Sequence, residues 1–131
     1  MFVIPTEKFI YSFQVSNTNM TYDEMIKNLK IILHSADMIY DEKDYTSATI
    51  LYFKAAFLAI DGILIREKGK SPKDHTERFR MLEKDYPDIY EFLDKRFKIY
   101  RDTYSASIDK QSCDKVRQDV KEIISRYKIS L

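Results

Sequence analysis

Glycine and proline are scarce: two and three in 131 residues, and tryptophan is missing. So few chain-breakers exclude a fold of many short strands joined by tight turns, and favour long helices. Two glycines cannot build a phosphate-cradling loop. Cysteine occurs once, at Cys113, and histidine twice. One cysteine excludes an intramolecular disulfide and fits a reducing compartment, so the expected location is cytoplasmic. One cysteine and two histidines leave too few ligands for a four-coordinate zinc site. No His-x-x-x-His or Glu-x-x-His pair occurs, so no metal site and no cofactor is expected. No basic region followed by an apolar run opens the chain, which argues against a signal peptide. The most apolar run, Ile50 to Ile65, is broken by Lys54 and Asp61. It reads as too short and too charged for a membrane span.

What is present is an ordinary globular balance of 44% hydrophobic and 33% charged residues, at the size of one domain. Net charge is +1, so no strong global attraction to nucleic acid is expected. The charge is uneven, however. Residues 1–65 hold five Lys/Arg and eight Asp/Glu, whereas 66–131 hold 17 and 13. Any polyanion-binding face belongs to the second half.

Residues 1–20 alternate: Phe9, Tyr11, Phe13 and Val15 interleave with Lys8, Ile10, Ser12 and Gln14. This period of two predicts an extended arm packed on the rest. From Thr21 onward the period is helical. Thr21 and Glu24 have capping-box spacing, and Ile26, Leu29, Leu33, Ala36 and Tyr40 follow as an apolar stripe. A second helix over 45–68 is apolar almost all round, which predicts a central position. Its Ala48, Ala55, Ala56, Ala59 and Gly62 should let neighbouring helices approach closely. Gly69 suits a helix C-terminus. A short third helix over 74–84 follows with Asp74 as N-cap and Phe79 and Leu82 inward. A fourth runs over 87–105 from Pro87, and a fifth over 112–127. The fold class expected is all-α: an up-and-down bundle of four to five antiparallel helices over 21–131, with a short extended N-terminal arm over 1–20.

Candidate chemistry concentrates at the end of the fourth helix. Lys95, Arg96, Lys98 and Arg101 fall within seven positions, interleaved with Phe97, Tyr100 and Tyr104. Arginine holds a phosphate through two parallel hydrogen bonds, and tyrosine stacks on a base or donates its hydroxyl. Arg101 and Tyr104 lie about 60° apart around the helix, on one side. Arg96 projects into the apolar face, where it needs a partner or a wet cavity. A structural alternative pairs Arg96 and Arg101 with carboxylates such as Asp61 or Asp102. Asp61 interrupts the most apolar helix and must be paired. His75 opens the third helix behind a basic loop of Arg66, Lys68, Lys70 and Lys73, as an acid–base group, a phosphate contact or a loop anchor. His34, in mid-helix beside Leu33, reads as a surface residue.

The order of these features resembles the HEPN family (higher eukaryotes and prokaryotes nucleotide-binding). An alanine-rich helix, Tyr52 to Asp61, runs into Gly69. Pro72 and His75 open a short helix. An aromatic-rich helix ends in Arg101-Asp102-Thr103-Tyr104, and a closing helix carries Val116, Val120 and Ile123. The resemblance covers about residues 22–128, and implies an up-and-down bundle and a homodimer. It also implies one of three roles: a metal-independent endoribonuclease, frequently a toxin; a nucleotide-binding or scaffold domain; or the partner of a small nucleotidyltransferase. The family's ribonuclease motif is an arginine, a polar residue, then a histidine after four to six intervening positions. Arg101 and Asp102 match the first two. The histidine would fall at Ala106, Ser107 or Ile108, and none of these is histidine. Cleavage would then need Tyr104 or His75 to move protons beside Arg101, and a tyrosine hydroxyl, ordinarily near pKa ~10, does this poorly near neutrality. The expectation is a non-catalytic module binding a nucleotide or RNA, or a protein, through Arg96, Arg101, Asp102 and Tyr104. An atypical ribonuclease and a purely structural dimerisation module are the alternatives.

Overall fold

The computed structural model describes residues 21–131, which form five α-helices and no strand. The extended arm expected over 1–20 lies outside the described residues. The helices are α1 (Tyr22–Asp41), α2 (Tyr45–Lys68), α3 (His75–Asp85), α4 (Pro87–Asp102) and α5 (Lys110–Arg126). An all-α helical bundle is therefore the architecture of the described chain.

Each boundary has a local cause. At α1 the Glu24 amide donates to Thr21 Oγ1 at 3.2 Å, and the Thr21 amide donates to Glu24 Oε1 at 3.3 Å. That reciprocal box satisfies two amides left over by the first turn. Asp44 caps α2 by accepting from the Ser47 amide at 3.0 Å, and Asp74 caps α3 through the Glu77 amide at 2.8 Å. Gly69 ends α2 at φ 71°, a left-handed geometry that glycine takes without strain. Two boundaries differ from the sequence reading by more than one residue. α4 stops at Asp102 rather than 105, where Thr103 Oγ1 turns back to the Tyr100 carbonyl at 2.6 Å. α5 begins at Lys110 rather than 112, because Asp109 caps it through the Ser112 amide at 2.7 Å.

α2 is the centre. It lies along α1 and packs against α5 and α4, while α3 packs on α4. Fourteen of its residues are buried, from Ala48 to Leu64. By length and composition this 24-residue helix could cross a membrane, so the short-run argument made from sequence is corrected. Its neighbours account for its apolarity: 78% of its most apolar stretch is covered within the fold. Gly62 is a second correction. A methyl added there would meet Ile26 Cδ1 at 3.6 Å, an ordinary contact, so α1 does not need a glycine to approach. Polar ties close the α1–α2–α5 seam. Asp37 of α1 accepts from the Tyr52 hydroxyl and from Lys121 Nζ at 3.0 Å, and Arg117 Nε reaches the same Tyr52 oxygen at 3.0 Å.

Candidate functional site

The most demanding polar group of the fold is Asp61, fully buried in the middle of α2. A lone buried carboxylate would cost several kcal/mol. Its partner is Arg78 of α3, only 1% exposed. Arg78 Nε donates to Asp61 Oδ1 and Nη2 to Oδ2, both at 2.8 Å. Two parallel bonds of this kind are the strongest geometry available to the pair. The guanidinium also lies over the Phe57 ring, 5.0 Å from its centroid. Asp61 is thus paired with an arginine as expected, but the arginine is neither Arg96 nor Arg101.

Arg78 has one more donor, Nη1, and it points at Nδ1 of His75 one turn earlier. A guanidinium can only donate, so Nδ1 is the acceptor and the ring proton sits on Nε2. His75 is 2% exposed. Burial first, and the neighbouring Arg78 charge second, hold its pKa down to about 3. The imidazole is therefore neutral at pH 7. Its ring packs on Phe57 at 4.9 Å, Tyr100 at 5.9 Å and Phe97 at 6.1 Å between centroids.

Tyr100 joins this core to the surface. Burial pushes its hydroxyl pKa upward, and its oxygen lies 3.0 Å from the Tyr104 hydroxyl. Tyr104 stands just beyond α4, where its amide donates to the Arg101 carbonyl at 3.1 Å, and it is 44% exposed. The fold thus strings His75, Tyr100, Tyr104 and Arg101 together at one end of α4, the first buried and the last two open to solvent.

The rest of the basic segment is divided. Arg96 sits about 140° around the helix from Arg101 and faces α5, where its Nε donates to Asp119 Oδ2 at 2.7 Å. The groove beside it is lined by Asp88, Glu91, Asp119 and Glu122 against Lys95, Arg96 and Arg126. Four acids to three bases do not favour a polyanion there. Asp102 accepts from Lys98 Nζ at 3.0 Å on an exposed face, a pair worth little. In the loop ahead of His75, Arg66 meets Glu67, Lys68 meets Asp85 and Lys70 meets Glu77. Arg101 is different: it is exposed, and its side chain makes no hydrogen bond or ion pair among the described residues. Among those residues no cluster of His, Cys, Asp and Glu is arranged to hold a metal ion. Cys113 is buried, and burial raises its thiol pKa.

Sequence reasoning passed over Arg78 and Asp119. Arg78 had a readable signal: His75, Arg78, Phe79 and Leu82 are spaced i, i+3, i+4, i+7, one inward face of a helix. Asp119 had none, because its partner lies on the preceding helix, too far along the chain for any local spacing to join them.

No family model, no curated protein and no solved structure matches this chain.

Proposed function

We propose that this chain is a non-catalytic, HEPN-like helical module that contacts a phosphate-bearing ligand, a nucleotide or RNA, through Arg101 with Tyr104 beside it. The observation that carries the reading is the state of Arg101. It is exposed, without a counter-charge among the described residues, and one turn from a half-exposed aromatic ring. A free guanidinium fits a phosphate by two parallel bonds, and the adjoining ring offers a face for a base. His75 has no proton-transfer role in this reading. It is buried, its Nδ1 is occupied by Arg78, and the proton it would need at neutral pH is opposed by burial and by that charge. Tyr104, its hydroxyl on Tyr100, serves for contact rather than for acid–base work.

The test is fluorescence anisotropy of a labelled single-stranded RNA and of a labelled adenine nucleotide with wild type, Arg101→Ala and Arg96→Ala, chelator present. Binding should fall at least about tenfold in Arg101→Ala, the loss of a charge-assisted bidentate contact, and remain in Arg96→Ala. The RNA should be recovered intact. RNA cut by wild type but not by Arg101→Ala would replace this reading with a metal-independent ribonuclease. Binding unchanged by Arg101→Ala would refute it.

A further inference from the structure

Arg117 of α5 is held in place, yet its outer edge has no partner among the described residues. Its guanidinium lies over the Tyr40 ring of α1, 4.6 Å from the centroid. Its Nε donates to the Tyr52 hydroxyl oxygen of α2 at 3.0 Å. One face and one N–H are thus fixed by two different helices. The two Nη groups make no hydrogen bond among the described residues, and the side chain is 36% exposed. Its one ion pair there is with Asp37, whose Oδ1 stands 3.6 Å from Nε, beyond hydrogen-bond reach. That carboxylate is already engaged by the Tyr52 hydroxyl and by Lys121 Nζ. Along the same seam, Asp114 accepts from the Tyr40 hydroxyl and from Lys110 Nζ. Lys110, Arg117 and Lys121 therefore share two carboxylates. Each lysine is hydrogen-bonded to one, so the positive charge left over falls on the outer edge of Arg117.

We infer that Arg117 is a carboxylate-binding site, which takes one monovalent carboxylate on its two Nη groups. An ordinary surface arginine loses much rotamer freedom when it grips an anion. Here Tyr40 and Tyr52 have removed that freedom in the free protein, so the fork is set before the ligand arrives. Two Nη donors in one plane match the two oxygens of a flat carboxylate through parallel hydrogen bonds. The charge count selects the valence of the ligand. Asp37 and Asp114 flank the site, so a second negative charge, as on a phosphate monoester, would meet their repulsion with no further cation left over in the cluster. The site lies on the α1–α2–α5 seam rather than at the end of α4, and does not rest on the Arg101 reading.

NMR of the full chain tests it, following the arginine guanidinium carbons and the Tyr40 ring while sodium acetate replaces sodium chloride at constant ionic strength and pH 7.5. Acetate should shift the Arg117 and Tyr40 signals saturably, in the millimolar range, and chloride should not. Arg101→Ala should keep this response. Arg117→Lys retains the charge and loses the fork, so the affinity read at the Tyr40 ring should fall at least about tenfold. Methyl phosphate, mostly a dianion at this pH, should bind several-fold more weakly than acetate. A short glutamate-rich peptide separates two sources of the carboxylate. Affinity per carboxylate equal to that of acetate assigns a free small acid, and affinity about tenfold tighter assigns an acidic segment of a partner protein. A response to acetate that does not saturate overturns the inference. So does one that survives Arg117→Lys, one lost in Arg101→Ala, or tighter binding of methyl phosphate than of acetate.

Discussion

Lowering the pH should destabilise this fold through one residue, His75, before its carboxylates begin to matter. His75 is buried and neutral, with its pKa down to about 3. In the unfolded chain a histidine titrates near ~6.5. Between those values the unfolded state binds a proton that the folded state refuses, so stability rises with pH and is lost as pH falls below the unfolded value. From pH 7.5 to 4.5 the unfolded histidine goes from mostly neutral to almost fully charged, while the folded one stays neutral. The cost is on the order of 3 kcal/mol, a large share of the ~5–15 kcal/mol by which domains are stable. In the paired carboxylates, such as Asp37 and Asp88, burial alone would raise the pKa, but hydrogen bonds and charges from their partners together outweigh it and hold the pKa down. Their contribution is lost lower down, mainly below about pH 4.5. Urea melts followed by circular dichroism across this range, wild type beside His75→Asn, isolate the term. Asparagine retains an acceptor for Arg78 but cannot take the proton. The variant should be less stable at pH 7.5, because it leaves space among Phe57, Phe97 and Tyr100. Its deficit should then shrink by a few kcal/mol, on the order of 3, on going to pH 4.5. Parallel pH profiles for the two proteins would refute the buried, neutral histidine.

Three other expectations follow from the packing. Arg78→Ala strands the Asp61 carboxylate and should cost about 3–5 kcal/mol in chemical denaturation, whereas Arg78→Met with Asp61→Leu should cost clearly less, because no charge is left alone; equal losses would mean the pair is not buried as described. Gly62→Ala should raise stability by roughly 0.5–1 kcal/mol, since the added methyl makes only ordinary contacts and alanine favours the helix; a lower melting temperature would show that α1 and α2 are closer than 3.6 Å allows. Arg96→Ala should destabilise by about 1 kcal/mol through the loss of the half-buried pair with Asp119, while Arg101→Ala should stay within about 0.5 kcal/mol of wild type; the opposite ranking would reverse the assignment of the two arginines.

The helices and their order were legible in the sequence because they depend on local chemistry. Thr21 with Glu24, Asp44, Asp74 and Pro87 act within a turn of their own position, and the apolar periods of α1 and α2 need no knowledge of what covers them. Boundaries blurred only where a cap competed with a plausible continuation, as at Thr103 and Asp109. That Asp61 needs an arginine was also legible, because a charge inside an apolar helix cannot stand alone. Which arginine answers it was not. Arg78, Arg96 and Arg101 are alike in composition and all lie in the basic half, and the choice rests on how α3 and α4 are set against α2. The tertiary structure placed Arg78 on Asp61, gave Asp119 to Arg96 and left Arg101 in solvent, so three arginines of the basic half came to lie in three different environments. It also brought His75 beside Tyr100 and sealed it there, which the sequence, with more than twenty residues between them, had no means of specifying. Periodicity and capping are written residue by residue along the chain. The partner and protonation state of a buried charge depend on the distances between helices, which only the assembled fold decides.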